Sequence, residues 1–195
     1  TNEGVGAATM TGYRAALADG TDIIVKVDGD GQMPADRIPA LIAPLLRGEA
    51  DYVKGNRFYD LGSLREMPRV RLIGNAGLSF LNKLSSGYWN LFDPTNGFTA
   101  IHARVAAALP LEQVSRRYFF ESDMLFHLNI VRAVVREIPM DARYREEESN
   151  LRVSRALGEF ALKHACNALK RIFYNYFLRN FSIASVELVA GLVLA

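Results

Sequence analysis

A single cysteine, Cys166, in 195 residues excludes an internal disulfide and fits a reducing compartment. Histidine is scarce as well. His102, His127 and His164 lie far apart, with no H-x-x-x-H or C-x-x-C spacing, which argues against a zinc site. Net charge is only +2, so no overall field favours a nucleic acid partner. No apolar run reaches the roughly 20 residues that a membrane-spanning helix needs. The last one, SIASVELVAGLVLA, has fourteen residues and contains Glu187. The chain opens on Thr1 and shows no basic and apolar leader of the secretory kind. Internal repeats and low-complexity stretches are also missing.

What is there is globular. Half of the residues are hydrophobic and 23% are charged, enough for one sizeable domain. Residues 4 to 19 read as a small-residue helix ending at Gly20. DIIVKV reads as a buried strand, and Pro34 suits the first turn of a helix whose face is Ile38, Leu41, Ile42, Leu45 and Leu46. Pro39 and Pro44 predict a kink or a late start for that helix. DYVKGNRF is the next strand, 69 to 86 a long helix, FFESDMLFHLNIVRA another, and VVREIP a further strand. Strands alternating with helices predict an α/β fold with a mainly parallel sheet and flanking helices.

The last third differs in character. From Arg155 to Arg179 there are five basic residues against one acid, Glu159, a local +4. Leu162, Cys166, Leu169, Phe173 and Tyr176 form one helical stripe beside Lys163, Lys170 and Arg171. Such a helix either packs on the domain or lies in a membrane interface with its basic flank on anionic headgroups. The apolar run behind it favours the interface. Residues 154–180 are then an amphipathic juxtamembrane helix, and 181–195 the start of a transmembrane helix with its basic flank on the cytoplasmic face.

The strand at DIIVKV ends in Asp28, Asp30 and Gln32, hard oxygen donors at alternate positions. In open α/β sheets ligands bind beyond the carboxyl ends of strands. Two carboxylates and an amide suit magnesium or manganese, which commonly complete their shell with substrate phosphates. An EF-hand is excluded, because Met33 stands where its glycine is needed and Pro39 where its glutamate is needed. Alone, a D-x-D pair is a weak signal and more often a polar surface turn.

VKVDGDGQMP, VKGNRF, DPTNGFTAI, YFFESDML and ARYREEESNLR follow one another in an order and spacing that resemble the family 2 glycosyltransferases, in particular the branch that acts on polyprenyl phosphates. The resemblance runs through nearly the whole chain. It implies a GT-A (Rossmann-like) fold over residues 1–153, lacking its first strands, that binds a nucleotide-diphosphate sugar of the GDP-mannose or UDP-glucose type. It implies Mg2+ or Mn2+ on Asp28, Asp30 and Gln32, with Asp28, Asp30, Asp93 and Asn96 toward the donor. Asn96 departs from the serine usual there, yet keeps its hydrogen-bonding capacity. Asp30, Arg57 and Asp123 are the implied catalytic residues, Asp123 being favoured over its neighbour Glu121. Arg57, Arg69, Arg71 and Arg143 are implied to grip the acceptor phosphate, with Arg145 as an alternative to Arg143.

The implied reaction is an inverting, metal-dependent hexose transfer to a polyprenyl phosphate at the cytoplasmic face of a membrane. The partners are the sugar nucleotide, the lipid phosphate and the membrane; a homo-oligomer is compatible with the sequence and nucleic acid is not expected. The alternative is a fragment or regulatory pseudoenzyme that binds a sugar nucleotide without turning it over. The processive synthases carry Q-x-x-R-W after the acidic helix motif; here QVSRRY precedes it and lacks the tryptophan. Haloacid-dehalogenase phosphatases want threonine or valine where Gln32 stands.

Overall fold

The computed structural model describes residues 2–31, 33–59, 69–140 and 153–194, and the side chains of 69–73 and 153–157 lie outside that description. Helix α1 spans Val5–Ala18 and stops where Gly20 enters the left-handed region at φ 72°. The Gly20 and Thr21 amides turn back onto the Leu17 and Ala16 carbonyls, which closes the helix end. Strand β1, Ile23–Lys26, follows at once. Pro34 precedes a single 3-10 turn at Ala35–Arg37, and α2, Ile38–Leu46, begins late, with Pro39 in its first turn. Pro44 sits inside α2, a helix of nine residues. Strand β2 is Tyr52–Asn56, buried at every position.

Helix α3 (Arg69–Ser86) leads to strand β3 (Thr99–His102), the short helix α4 (Ala103–Ala108), helix α5 (Phe120–Ile130) and strand β4 (Val135–Pro139). The sheet order is β1-β3-β2-β4. Here the structure corrects the expectation of a mainly parallel sheet. β2 and β4 pair in parallel, but β3 lies antiparallel between β1 and β2. The sheet is mixed: β1, β2 and β4 share one direction and β3 opposes them.

That reversal positions the site. Thr99, the first residue of β3, is paired with Lys26, the last of β1, and with Lys54 of β2. The loop that precedes β3 therefore arrives at the carboxyl ends of β1 and β2. A parallel β3 would have delivered it to the opposite end.

The two sheet faces carry separate cores, as a period of two requires. Ile24, Tyr52, Ile101 and Val135 pack with Met10 and Tyr13 of α1 and with Met124, Leu125 and Leu128 of α5. Val53 and Ala100 face the other way, onto Leu41 and Leu45 of α2, Phe98 and Met140. The result is a helix–sheet–helix sandwich.

Helix α6, Val153–Phe173, continues through a π-helical segment, Tyr174–Arg179, to α7, Ile183–Leu194. It packs on α3 and α5, but through its polar side. His164 is 2% exposed, with Nδ1 2.8 Å from Ser85 Oγ on α3, and the buried Asn167 donates to Asp123 on α5 at 2.8 Å. The stripe of Leu162, Leu169 and Phe173 faces outward, 56–70% exposed. Helix α7 is twelve residues, about 18 Å of rise. Among the described residues no helix is long and apolar enough to cross a membrane.

Candidate active site

The site begins where β1 runs out. Lys26 Nζ donates to Asp28 Oδ1 at 2.7 Å and to the Gly97 carbonyl at 3.2 Å, so one ammonium ties the acidic turn to the loop before β3. The Lys26 side chain is almost wholly buried, while Asp28 keeps over a third of its side-chain surface open. Gly97 is needed for that approach. A Cβ there would stand 2.6 Å from Lys26 Nζ and 2.7 Å from the free Asp28 oxygen, Oδ2. Asp30 is exposed two residues further on.

At the end of β2, Arg57 meets the same loop. Its Nε and Nη2 donate to the two oxygens of Asp93, both at 2.8 Å, and its backbone N–H adds a third bond at 3.1 Å. Asp93 is fully buried and Arg57 about a third exposed. This is a forked, charge-assisted pair, the geometry in which arginine differs most from lysine. Thr95 Oγ1 lies 3.3 Å from Arg57 Nη2. Asn96 shapes the rest of the turn: its Oδ1 accepts from the Phe98 amide at 2.9 Å and its Nδ2 donates to Asp93 at 3.3 Å.

Two residues absent from the sequence-derived set hold this loop from below. Glu137, on β4, accepts from the Phe92 and Asp93 amides at 2.9 and 2.8 Å and from Asn56 Nδ2 at 2.8 Å. Burial raises its carboxyl above the usual range despite these bonds. Lys54, in the middle of β2, is 1% exposed and donates to the Pro94 carbonyl at 2.7 Å. Burial pushes its ammonium down to about 8, against the pull of Asp93, Glu137 and Glu121.

The FESD acids part company. They are two residues apart on α5, about 200° around the helix, so they face different ways. Asp123, expected beside Asp30 and Arg57, is turned away from them. Its Oδ2 accepts from the Ser115 amide and hydroxyl, both at 2.8 Å, and its Oδ1 from Asn167. It ties α5 to the preceding turn and to α6. Glu121 faces the sheet end instead. Burial raises its carboxyl to about 7, while the charges of Lys26 and Lys54 act the other way and Asp28 adds to the rise.

Gln32, Arg143 and Arg145 lie outside the described residues, as do the side chains of Arg69 and Arg71 at the start of α3. Among the described residues no cluster of three His, Cys, Asp or Glu side chains stands ready to hold a metal ion. The donors fit a hard divalent cation that draws part of its shell from substrate. Asp28 has an open oxygen facing the Gly97 cradle, and Asp30 lies on the same exposed turn.

Residues 1–109 match the profile of Glycosyl transferase family 2. The chain is 33% identical over 145 residues, 74% of its length, to UDP-N-acetylglucosamine--dolichyl-phosphate N-acetylglucosaminyltransferase of Methanococcus voltae, covering 57% of that protein. It is 30% identical over 147 residues, 75% of its length, to undecaprenyl-phosphate mannosyltransferase of Micrococcus luteus, covering 59%. It thus spans less than three fifths of these curated relatives. Among solved structures, glucosyl-3-phosphoglycerate synthase of Mycobacterium tuberculosis, in complex with Mn2+, UDP and phosphoglyceric acid, superposes with a TM-score of 0.60. The identity is 21%, covering 86% of this chain and 54% of that one, a likeness of fold. With the carboxylate turn, the forked pair and the buried lysines gathered at one sheet end, the match over more than half of the chain has one meaning: the chain belongs to glycosyl transferase family 2.

Proposed function

We propose that the chain carries the catalytic core of an inverting glycosyltransferase that moves a hexose from a nucleotide-diphosphate sugar to a polyprenyl phosphate. The observation that carries this reading is the convergence of the β1 turn and the loop before β3 on Lys26, Asp28, Arg57 and Asp93. Both named relatives above act on polyprenyl phosphates, which supports the acceptor class.

Asp28 and Asp30, with Gln32, would hold Mg2+ or Mn2+, whose charge neutralises the leaving diphosphate. Arg57, kept in one orientation by Asp93, presents its exposed edge to the phosphates. Asp93 and Asn96 border the donor as the shapers of that loop. Glu121, whose carboxyl burial raises well above the usual range, is placed to exchange a hydrogen bond with the donor. It takes the catalytic role that the resemblance implied for Asp123. Arg69, Arg71 and Arg143 remain the candidates for the acceptor phosphate.

An ionised lipid phosphate needs no general base. Its oxygen attacks the anomeric carbon as the bond to the diphosphate breaks on the opposite face, the electron pair leaving with the diphosphate. The residues supply position and charge.

A lipid acceptor also accounts for the outward stripe. Leu162, Leu169, Phe173, Leu178, Phe181 and Ile183 are all more than half exposed, with Lys163 and Lys170 beside them. Leu162, Phe173 and Leu178, with Lys163 and Lys170, line a mostly apolar cleft of about 710 Å3 between α5 and α6. We place this face on the cytoplasmic surface of a membrane, with α7 as the beginning of an anchor. The reading is tested by titrating UDP and GDP into the protein with and without Mn2+. Metal-dependent binding, lost in Asp30→Asn, is expected. Equal binding without metal would remove the role given to Asp28 and Asp30.

A further inference from the structure

A second cavity, of about 580 Å3, lies at the end of the sheet opposite the candidate active site. It is walled by the C-terminal end of α5, the approach to β4 and the segment joining α6 to α7. Val135 of β4 pairs with Tyr52 at this end and Pro139 with Asn56 at the other, so about 13 Å of strand separates the two.

Its lining is polar and basic: Arg132, Arg171, the carboxamides of Asn129, Asn175 and Asn180, and Ser182. Among the described residues no carboxylate lines it. Arg171 Nη2 donates to the Leu84 carbonyl at 3.0 Å, and Arg179 beside it donates through Nη2 to the Ile130 carbonyl at 2.7 Å. Those carbonyls belong to the last turns of α3 and α5, so the ordinary role of both arginines is to cap two helix ends.

Capping does not exhaust them. Arg171 Nε and Arg179 Nη1 are buried without a hydrogen-bond partner, a costly state for a charged group. Burial pushes the Arg171 guanidinium below its usual value, and among the described residues Tyr176 acts the other way. Arg132 occupies the left-handed position after α5, φ 58°, where glycine or asparagine is usual. With the Asn180 amide oriented to donate to the Arg179 carbonyl, its oxygen accepts from Arg132 Nη2 at 2.8 Å, which leaves most of that fork open. Two helix C-termini bring roughly half a negative charge each. Against three guanidinium groups this leaves a surplus of about two positive charges.

We propose that this cavity binds a phosphate group through Arg132 and Arg171, with the carboxamides and Ser182 around it and the charge of Arg179 behind its wall. Guanidinium forks match phosphate oxygens, and asparagine and serine serve its remaining lone pairs. The phosphate belongs either to a free anion or to the headgroup of an anionic phospholipid, since the exposed Ile183, which opens α7, directly follows Ser182 of the cavity wall. The inference is independent of the transfer reaction.

The test uses the full chain as wild type, Arg132→Gln and Arg171→Lys, the last keeping charge at the helix end without the fork. Inorganic phosphate and glycerol 3-phosphate are titrated by calorimetry. Sedimentation is measured with phosphatidylcholine vesicles, with and without phosphatidylglycerol. Arg132→Gln is expected to weaken binding about tenfold or more. A loss seen with the soluble phosphates assigns a free anion, and a loss confined to the phosphatidylglycerol vesicles assigns a headgroup. If Arg132→Gln does not fold, Arg171→Lys is read by the same criterion. No binding by wild type in either arm, or unchanged binding in a folded variant, overturns the proposal.

Discussion

Replacing Asp93 by alanine removes the centre of the site's polar network. The carboxylate is fully buried and accepts four bonds: three from Arg57 and one from Asn96. Breaking a buried pair by deleting one partner costs about 3–5 kcal/mol. Arg57 is about a third exposed and regains water, so the cost falls to about 2–3 kcal/mol. Lys54 adds to it, because Asp93 is the first of the charges that hold its ammonium up. In a protein of this size 1 kcal/mol shifts the melting temperature by about 2–4 °C. Asp93→Ala is therefore expected to melt about 4–12 °C below wild type by circular dichroism, and Asp93→Asn, which keeps the shape, by less. Glu112→Ala, at an exposed pair with Arg14, is the control and should not move it. A melting temperature for Asp93→Ala within 2 °C of wild type would refute the network as a structural centre.

Three further outcomes follow from the same geometry. Burial holds His164 down at about 4, below the 6.5 of an unfolded histidine, so the unfolded chain binds the extra proton between those values. Stability present above pH 6.5 should be lost as pH falls toward 4; His164→Gln should flatten that decline, and an unaltered pH profile of urea midpoints would contradict it. Arg57→Lys keeps the charge but cannot form the fork with Asp93, so transfer should fall about 10–100-fold and the melting temperature should drop by less than in Asp93→Ala. Leu169→Glu with Phe173→Glu should abolish sedimentation with phosphatidylcholine vesicles without unfolding the protein; retained binding would move the membrane-facing surface elsewhere.

Much of this was legible in the order of residues, and the failures have identifiable causes. The acidic turn, Arg57, Asp93 and Asn96 are legible only through the ordered motifs that resemble the family; alone, each reads as a polar turn or a solvated strand end. That Arg57 and Asp93 pair with each other was not legible: they are 36 residues apart and meet only because β3 is reversed. That reversal escaped notice because Thr99–His102 is four residues long and follows directly on a turn. The sequence does not separate Glu121 from Asp123, because α5 is buried on nearly all sides, so no polar face marks its phase. Lys54 did leave a signal, a lysine inside an otherwise buried strand. Glu137 left none, since its partners lie more than 40 residues away. The spacing of the α6 stripe is legible in the sequence. Its outward direction required knowing that His164 and Asn167 bury the other.

The most direct measurement is sugar transfer by the full-length protein, extended to the length of its relatives, from a panel of nucleotide sugars to a polyprenyl phosphate. It is run with and without Mg2+ or Mn2+, for wild type and Asp30→Asn. The account predicts one metal-dependent glycolipid product of inverted anomeric configuration, absent in the variant. No transfer from any donor by a folded protein that binds nucleotide would contradict it and leave a binding or regulatory role.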